Sequence, residues 1–191
     1  MQVSRITSSI LYDDHKEIIP PIEESMTKSK EDILHWMACM KRSHRYVHSL
    51  VLRCAAPQNY PNIRLYWLLD HFLDDNPFYI EYFANSIGSI FLRCDNPSTL
   101  RSVSRIILRS PAPFIHREGV LDRCAMFCLN ANYPYAIRCN SLEIFTIAVS
   151  TFSDLHHELD WIFEYMSREN IPSIIARLKR CKKISNQYKK S

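Results

Sequence analysis

Two glycines, Gly88 and Gly119, occur in 191 residues, where ordinary usage of about 7% would supply a dozen or so. Phosphate-cradling loops and dinucleotide fingerprints need several glycines close together, because the backbone must approach the phosphate without a Cβ in the way. Nucleotide chemistry of those types is excluded. Long apolar runs are missing as well: every stretch falls short of the roughly 20 residues that a membrane span needs. No apolar run near Met1 resembles an export signal, so the expected location is cytoplasmic, with no membrane partner. No segment alternates with the period of two that marks a strand. The seven cysteines include no CxxC pair, and an odd number argues against a disulfide framework or a zinc ribbon. Cys124 and Cys128, four apart, could supply two metal ligands, but no second pair completes a site, so neither metal nor cofactor is expected. Cys54, Cys94 and Cys128 fall in apolar runs and read as small buried hydrophobes.

What the chain does have is a repeat. Ile63-Arg64, Leu100-Arg101 and Ile137-Arg138 are apolar-Arg pairs spaced by 37 residues and then 37 again, and a further 37 reaches Ile174 beside Pro172. Each pair follows a turn rich in Asn and Pro, and each opens an apolar run. Apolar positions three and four apart predict helices over 44–55, 61–74, 77–93, from Asn96-Pro97 to before Pro111, 116–129, 134–152, onward from a cap at Ser153 or Asp154, and from Pro172. The 61–74 helix is apolar nearly all round, which requires neighbours on both sides. Ser29 with Glu31 and Asp32 starts an earlier helix with Ile33, Trp36, Met37 and Met40 inward. Residues 1–28 are the least periodic and are expected to cap the first repeat; 29–184 form one domain and 185–191 a basic tail.

Four helical hairpins at this period resemble the HEAT repeats of the armadillo-type α-solenoids. The fold class is therefore all-α, a right-handed α-α superhelix of about four hairpins with an N-terminal cap. One hairpin cannot bury its own apolar face, so neighbours stack and share a continuous core. The run from Ile63 to His71 with Asn76-Pro77, and the course from Leu121 to Ile184, look like those of short, uncharacterised bacterial HEAT-like proteins. In typical HEAT repeats the arginine after the turn pairs with a preceding aspartate. The resemblance therefore implies that Arg64, Arg101 and Arg138 stack in a ladder, with Asp95 serving one rung and Asn59 or Asn62, and Asn130 or Asn132, serving the others. Alternatively the three arginines form a positive strip that binds an acidic partner.

Three groups of residues are candidates for function. Arg64, Arg101, Arg105, Arg138 and Glu143 lie on or near the second helices of the hairpins, which usually line the concave face of a solenoid. Trp67, Asp70 and His71 resemble the base-stacking tryptophan and catalytic aspartate of the HEAT-like alkylpurine DNA glycosylases; the alternative is a core tryptophan beside a hydrogen-bonded Asp-His pair, with no nucleophile at a recognisable spacing. Arg177, Lys179, Arg180, Lys182 and Lys183, with Lys189 and Lys190, are seven cations after Asn170 with no acid among them, against a net charge of +4 for the whole chain. They could bind nucleic acid or an acidic protein, or cap the last helix and keep the terminal repeat soluble. The expected function is a non-enzymatic protein-interaction module or scaffold using the concave face. Nucleic-acid binding, and a glycosylase-like enzyme, are the alternatives. Oligomeric state is not legible.

Overall fold

A computed structural model of the chain describes residues 37–38, 44–59 and 62–188. Among the described residues from His44 on, ten helices follow one another: α1 (His44–Ala55), α2 (Ile63–Asp75), α3 (Phe78–Tyr82), α4 (Ala84–Arg93), α5 (Pro97–Arg109), α6 (Ala112–Ile115), α7 (Val120–Leu129), α8 (Tyr135–Ala148), α9 (His156–Ser167) and α10 (Pro172–Tyr188). Among the described residues there is no strand. The expected cap over 1–28 lies outside the described residues, as do Lys189 and Lys190. Of the helix expected from Ser29, only Met37 and Ala38 are described; both are helical, and Met37 packs on the core.

The helices pair as α1/α2, α4/α5, α7/α8 and α9/α10, and the pairs stack in two layers. α1, α4, α7 and α9 form the first layer; α2, α5, α8 and α10 form the second, each packed on the next. This is the HEAT-like helical solenoid that the repeat implied. Its spine runs between the layers, from Val47, Leu50 and Val51 through Leu69, Phe72 and Ile90 to Ile106, Phe127, Leu142 and Ile162, all essentially without exposure. Polar contacts reach from one hairpin to the next at a sequence separation close to the repeat: His44 to Tyr79, Ser104 to Asn140, Cys139 to Ser173.

Local chemistry accounts for most boundaries. Asn62 caps α2 by accepting from the Leu65 N–H at 3.3 Å, and Asn96 caps α5 by accepting from Ser98 and Thr99 at 3.1 Å, with Pro97 in the first turn where its missing N–H is harmless. Four boundaries depart from expectation. The single helix predicted over 77–93 is broken at Phe83, whose φ of −102° and ψ of 14° leave the helical region and turn the ring inward against Tyr79 and His48. The helix predicted from His116 begins at Val120, because Gly119 takes φ +78°, where an L side chain is strained, and re-aims the chain. α8 stops at Ala148 rather than Phe152, and Ser153–Leu155 is a 3-10 turn in which neither Ser153 nor Asp154 caps α9 through its side chain.

The register of the repeat also differs. Six of the seven buried positions of α2, Leu65, Tyr66, Leu69, Asp70, Phe72 and Leu73, recur on α5 as Thr99, Leu100, Val103, Ser104, Ile106 and Ile107, a spacing of 34 rather than 37. Ile63 is therefore not the counterpart of Leu100: it is 54% exposed while Leu100 is buried. Between α8 and α10 the spacing of 37 holds, with Ile137 and Ile174 both fully buried.

Candidate functional site

The arginine ladder expected at Arg64, Arg101 and Arg138 does not form with those rungs. Arg64 and Arg101 are exposed, whereas Arg138 is wholly buried between the layers. It donates through Nε and Nη2 to the Cys128 carbonyl at 3.3 and 2.9 Å, and pairs with Glu169 in the turn before α10. Asn130 is engaged instead with the Asn132 N–H at 3.0 Å. Asp95 pairs with Arg123 at 2.8 Å, not with Arg101. The reason is chemical: the last carbonyls of a helix lack partners, and a guanidinium from a neighbouring helix supplies several donors at once. Arg123 does this for α4, donating to the Leu92 and Cys94 carbonyls at 2.7 Å each. Tyr66 does it for α1, its hydroxyl donating to the Cys54 carbonyl at 2.5 Å. The hydrogen bond from Arg138 holds the Glu169 carboxyl below its ordinary pKa and raises that of the guanidinium.

The open face of the second layer carries the other arginines. A hollow of about 560 Å³ spans α5, α8 and α10. From α5 it takes Arg101, Arg105, Leu108 and Arg109; from α8, Ala136, Asn140 and Glu143; from α10, Arg177 and Arg180. Helical spacing explains the set, because three- and four-residue steps keep these side chains on one face of each helix. Two carboxylates lie beneath them. Asp70 of α2 meets Arg105 at 3.3 Å and Arg109 at 2.8 Å, and Asp74 meets Arg109 at 2.9 Å. Glu143 of α8 pairs with Arg177 and, at 2.7 Å, with Arg180. Both carboxylate side chains are only 3% exposed. Burial pushes the Asp70 carboxyl above its ordinary pKa, and the Arg109 and Arg105 charges pull the other way. Between α5 and α8 the link is neutral, Asn140 Nδ2 donating to Ser104 Oγ at 3.0 Å. By the 34-residue spacing, Trp67 and His71 hold on α2 the positions that Arg101 and Arg105 hold on α5.

Of the five residues expected to bind, Arg101, Arg105 and Glu143 thus share one hollow, Arg138 faces into the protein, and Arg64 lies on the exposed side of α2. Trp67, Asp70 and His71 separate as well. Trp67 is 37% exposed rather than a core residue, and its ring meets His71 edge-on with centroids 4.1 Å apart, while Asp70 turns to Arg105 and Arg109 instead of bonding His71. One side of α2 is therefore left open, where its near-uniform apolarity had implied neighbours on both sides. The basic run divides. Arg177 and Arg180 face Glu143, Lys182 sits over the Phe163 ring at 5.7 Å on the side of the first layer, and Lys179 and Lys183 are exposed. Arg109, Arg123, Asn140 and Glu169 carry contacts that sequence reasoning missed; an arginine beside an apolar helical run was the available signal for the first two.

The cysteines are packing residues. All six described ones are buried and free. Burial pushes the Cys124 thiol up to about 12 and the Cys181 thiol to about 11. Cys128 Sγ lies 3.7 Å from the Arg138 carbonyl. Among the described residues no group of three His, Cys, Asp or Glu side chains could hold a metal ion, and no helix is long and apolar enough to cross a membrane.

No curated protein and no solved structure matches the chain. A family model described as HEAT repeat domain matches residues 23–184, which take in every described helix but the last turn of α10. Stacked hairpins, a shared spine and that match lead to one assignment: the chain belongs to the HEAT repeat domain family.

Proposed function

We propose that the protein is a non-enzymatic interaction module that holds a protein partner on the open face of its second-helix layer. HEAT repeats commonly serve as protein-interaction scaffolds, and stacked hairpins present an extended surface that no single hairpin has. The hollow across α5, α8 and α10 is the observation that carries the reading: three successive hairpins contribute side chains to one concavity. Its groups suit recognition rather than bond making. Arginines keep their protons at any working pH, and the two carboxylates are occupied by them, so neither a general base nor a nucleophile is presented. The site of action is read as the cytoplasm, and the domain as residues 29–184.

The test is cross-linked affinity capture from the native cell with the full chain as bait, repeated with Arg101→Glu and Arg105→Glu. Loss of the captured species with the folded variant places the partner on this face; capture unchanged by both substitutions removes the face from consideration.

A further inference from the structure

Charge sets what the hollow can accept. Arg101, Arg105, Arg109, Arg177 and Arg180 bring five positive charges to it, and Asp70, Asp74 and Glu143, the first and last of them beneath the surface, return three negative ones. The excess is held in place, not free to wander. Arg105 is 44% exposed and Arg180 66% exposed, yet each is tied at its guanidinium to a buried carboxylate. A planar guanidinium fixed in this way still has donors left over, and those donors match a carboxylate in geometry. Arg101 is exposed and makes no ion pair among the described residues.

We propose that the groove takes an acidic segment of a partner protein, with Asp or Glu side chains on Arg101, Arg105 and Arg180 and an apolar residue against Ile63 and Trp67 of α2. This rests on the reading of the open face as the binding surface and names the chemistry of what binds there. The apolar anchor is sought on α2, which packs on α5 and whose Ile63 and Trp67, one turn apart, are 54% and 37% exposed. A nucleic acid fits less well. Its phosphates would find the arginines, but the lining of the hollow includes no aromatic ring, which leaves Trp67 of α2 as a single platform where successive bases need several.

Binding is measured by fluorescence anisotropy with the full chain and a labelled peptide of Asp and Glu around one leucine. The same peptide with Asn and Gln in their place, and a single-stranded oligodeoxynucleotide of equal charge, are the comparisons. The acidic peptide should bind, weaken as salt is raised, and lose about tenfold in affinity in Arg101→Gln or Arg180→Gln, the worth of one charge-assisted hydrogen bond. Both positions are exposed, and an unchanged far-ultraviolet circular dichroism spectrum checks that the fold persists. Absence of binding at low salt, indifference to both substitutions, or tighter binding of the oligonucleotide would overturn the proposal. If the peptide fails while capture still depends on Arg101 and Arg105, the face binds a partner of other chemistry, and only the acidic-segment inference falls.

Discussion

Arg138 of α8 and Cys128 of α7 are joined by two hydrogen bonds, from Nε and Nη2 to one carbonyl oxygen, inside a protein interior that leaves the arginine no exposed surface. One side chain thus closes the end of α7, stitches a hairpin together, and through Glu169 ties it to the following turn. Removing Arg138 leaves the buried Cys128 carbonyl without its donors and the partly exposed Glu169 without its cation, losses that together cost about 3 kcal/mol. Arg138→Met is therefore expected to lower unfolding free energy by about 3 kcal/mol in urea titrations. Arg138→Lys should recover little, because a lysine cannot make the forked contact. A loss below about 1 kcal/mol would show that the cap is dispensable.

Two carboxylates set opposite pH dependences. Glu169 titrates below its ordinary value in the folded protein, so its contribution is present above the unfolded pKa and is lost as pH falls through the folded one. Asp70 titrates above its ordinary value, so its contribution is present below the unfolded pKa and is lost as pH rises through the folded one. Relative to wild type, Glu169→Gln should flatten the acid loss of stability and Asp70→Asn should steepen it. Unfolding free energies measured across the carboxylate range decide the matter; the same change of slope in both variants would contradict the assignment.

Glu143 competes with any acidic ligand for Arg177 and Arg180. Glu143→Gln preserves shape while releasing one negative charge beneath the hollow. Stability is expected to fall by about 1–2 kcal/mol, and the acidic peptide should bind several-fold more tightly. Weaker peptide binding by a folded variant would mean that the carboxylate's chief effect is to hold the arginines in place.

Trp67 distinguishes a surface from a core. A buried aromatic replaced by alanine costs about 3–5 kcal/mol, and Phe72, with no exposure, should behave so. Trp67→Ala should cost less, about 2 kcal/mol, because more than a third of the residue is already exposed and only its covered part is lost. Thermal and urea unfolding of the two variants compare them directly.

Thiol reactivity reports the packing of the repeat. With Cys39, which lies outside the described residues, replaced by serine, the six buried thiols should react slowly with a disulfide reagent at mildly alkaline pH and all at once in denaturant. The thiolate is the reactive form, and burial raises the pKa of Cys124 to about 12. Rapid modification of several thiols in the native protein would place the helix layers closer to solvent than their burial indicates.

The stacked hairpins were readable because their cause is local. Asn-Pro turns, proline at helix starts and apolar positions three or four apart act within a dozen residues, so α1, α2, α5 and α10 fall where those signals lie. The break at Phe83 and the start of α7 were not readable from periodicity, since the first is fixed by rings from α1 and α3 and the second by one backbone angle at Gly119.

By itself the sequence determined that this is a chain of helical hairpins with a shared apolar spine, too poor in glycine for nucleotide-binding loops. The tertiary structure decided which arginines are interior and which are presented. Arg101 and Arg138 look alike in the repeat, and the 37-residue spacing that joins Leu100 to Ile137 holds between their helices, but spacing along the chain does not say which groups will surround each side chain. Packing makes that choice, because a guanidinium is stable inside only where helix-end carbonyls and a carboxylate meet it. At Arg138 they do, and at Arg101 the side chain remains at the surface.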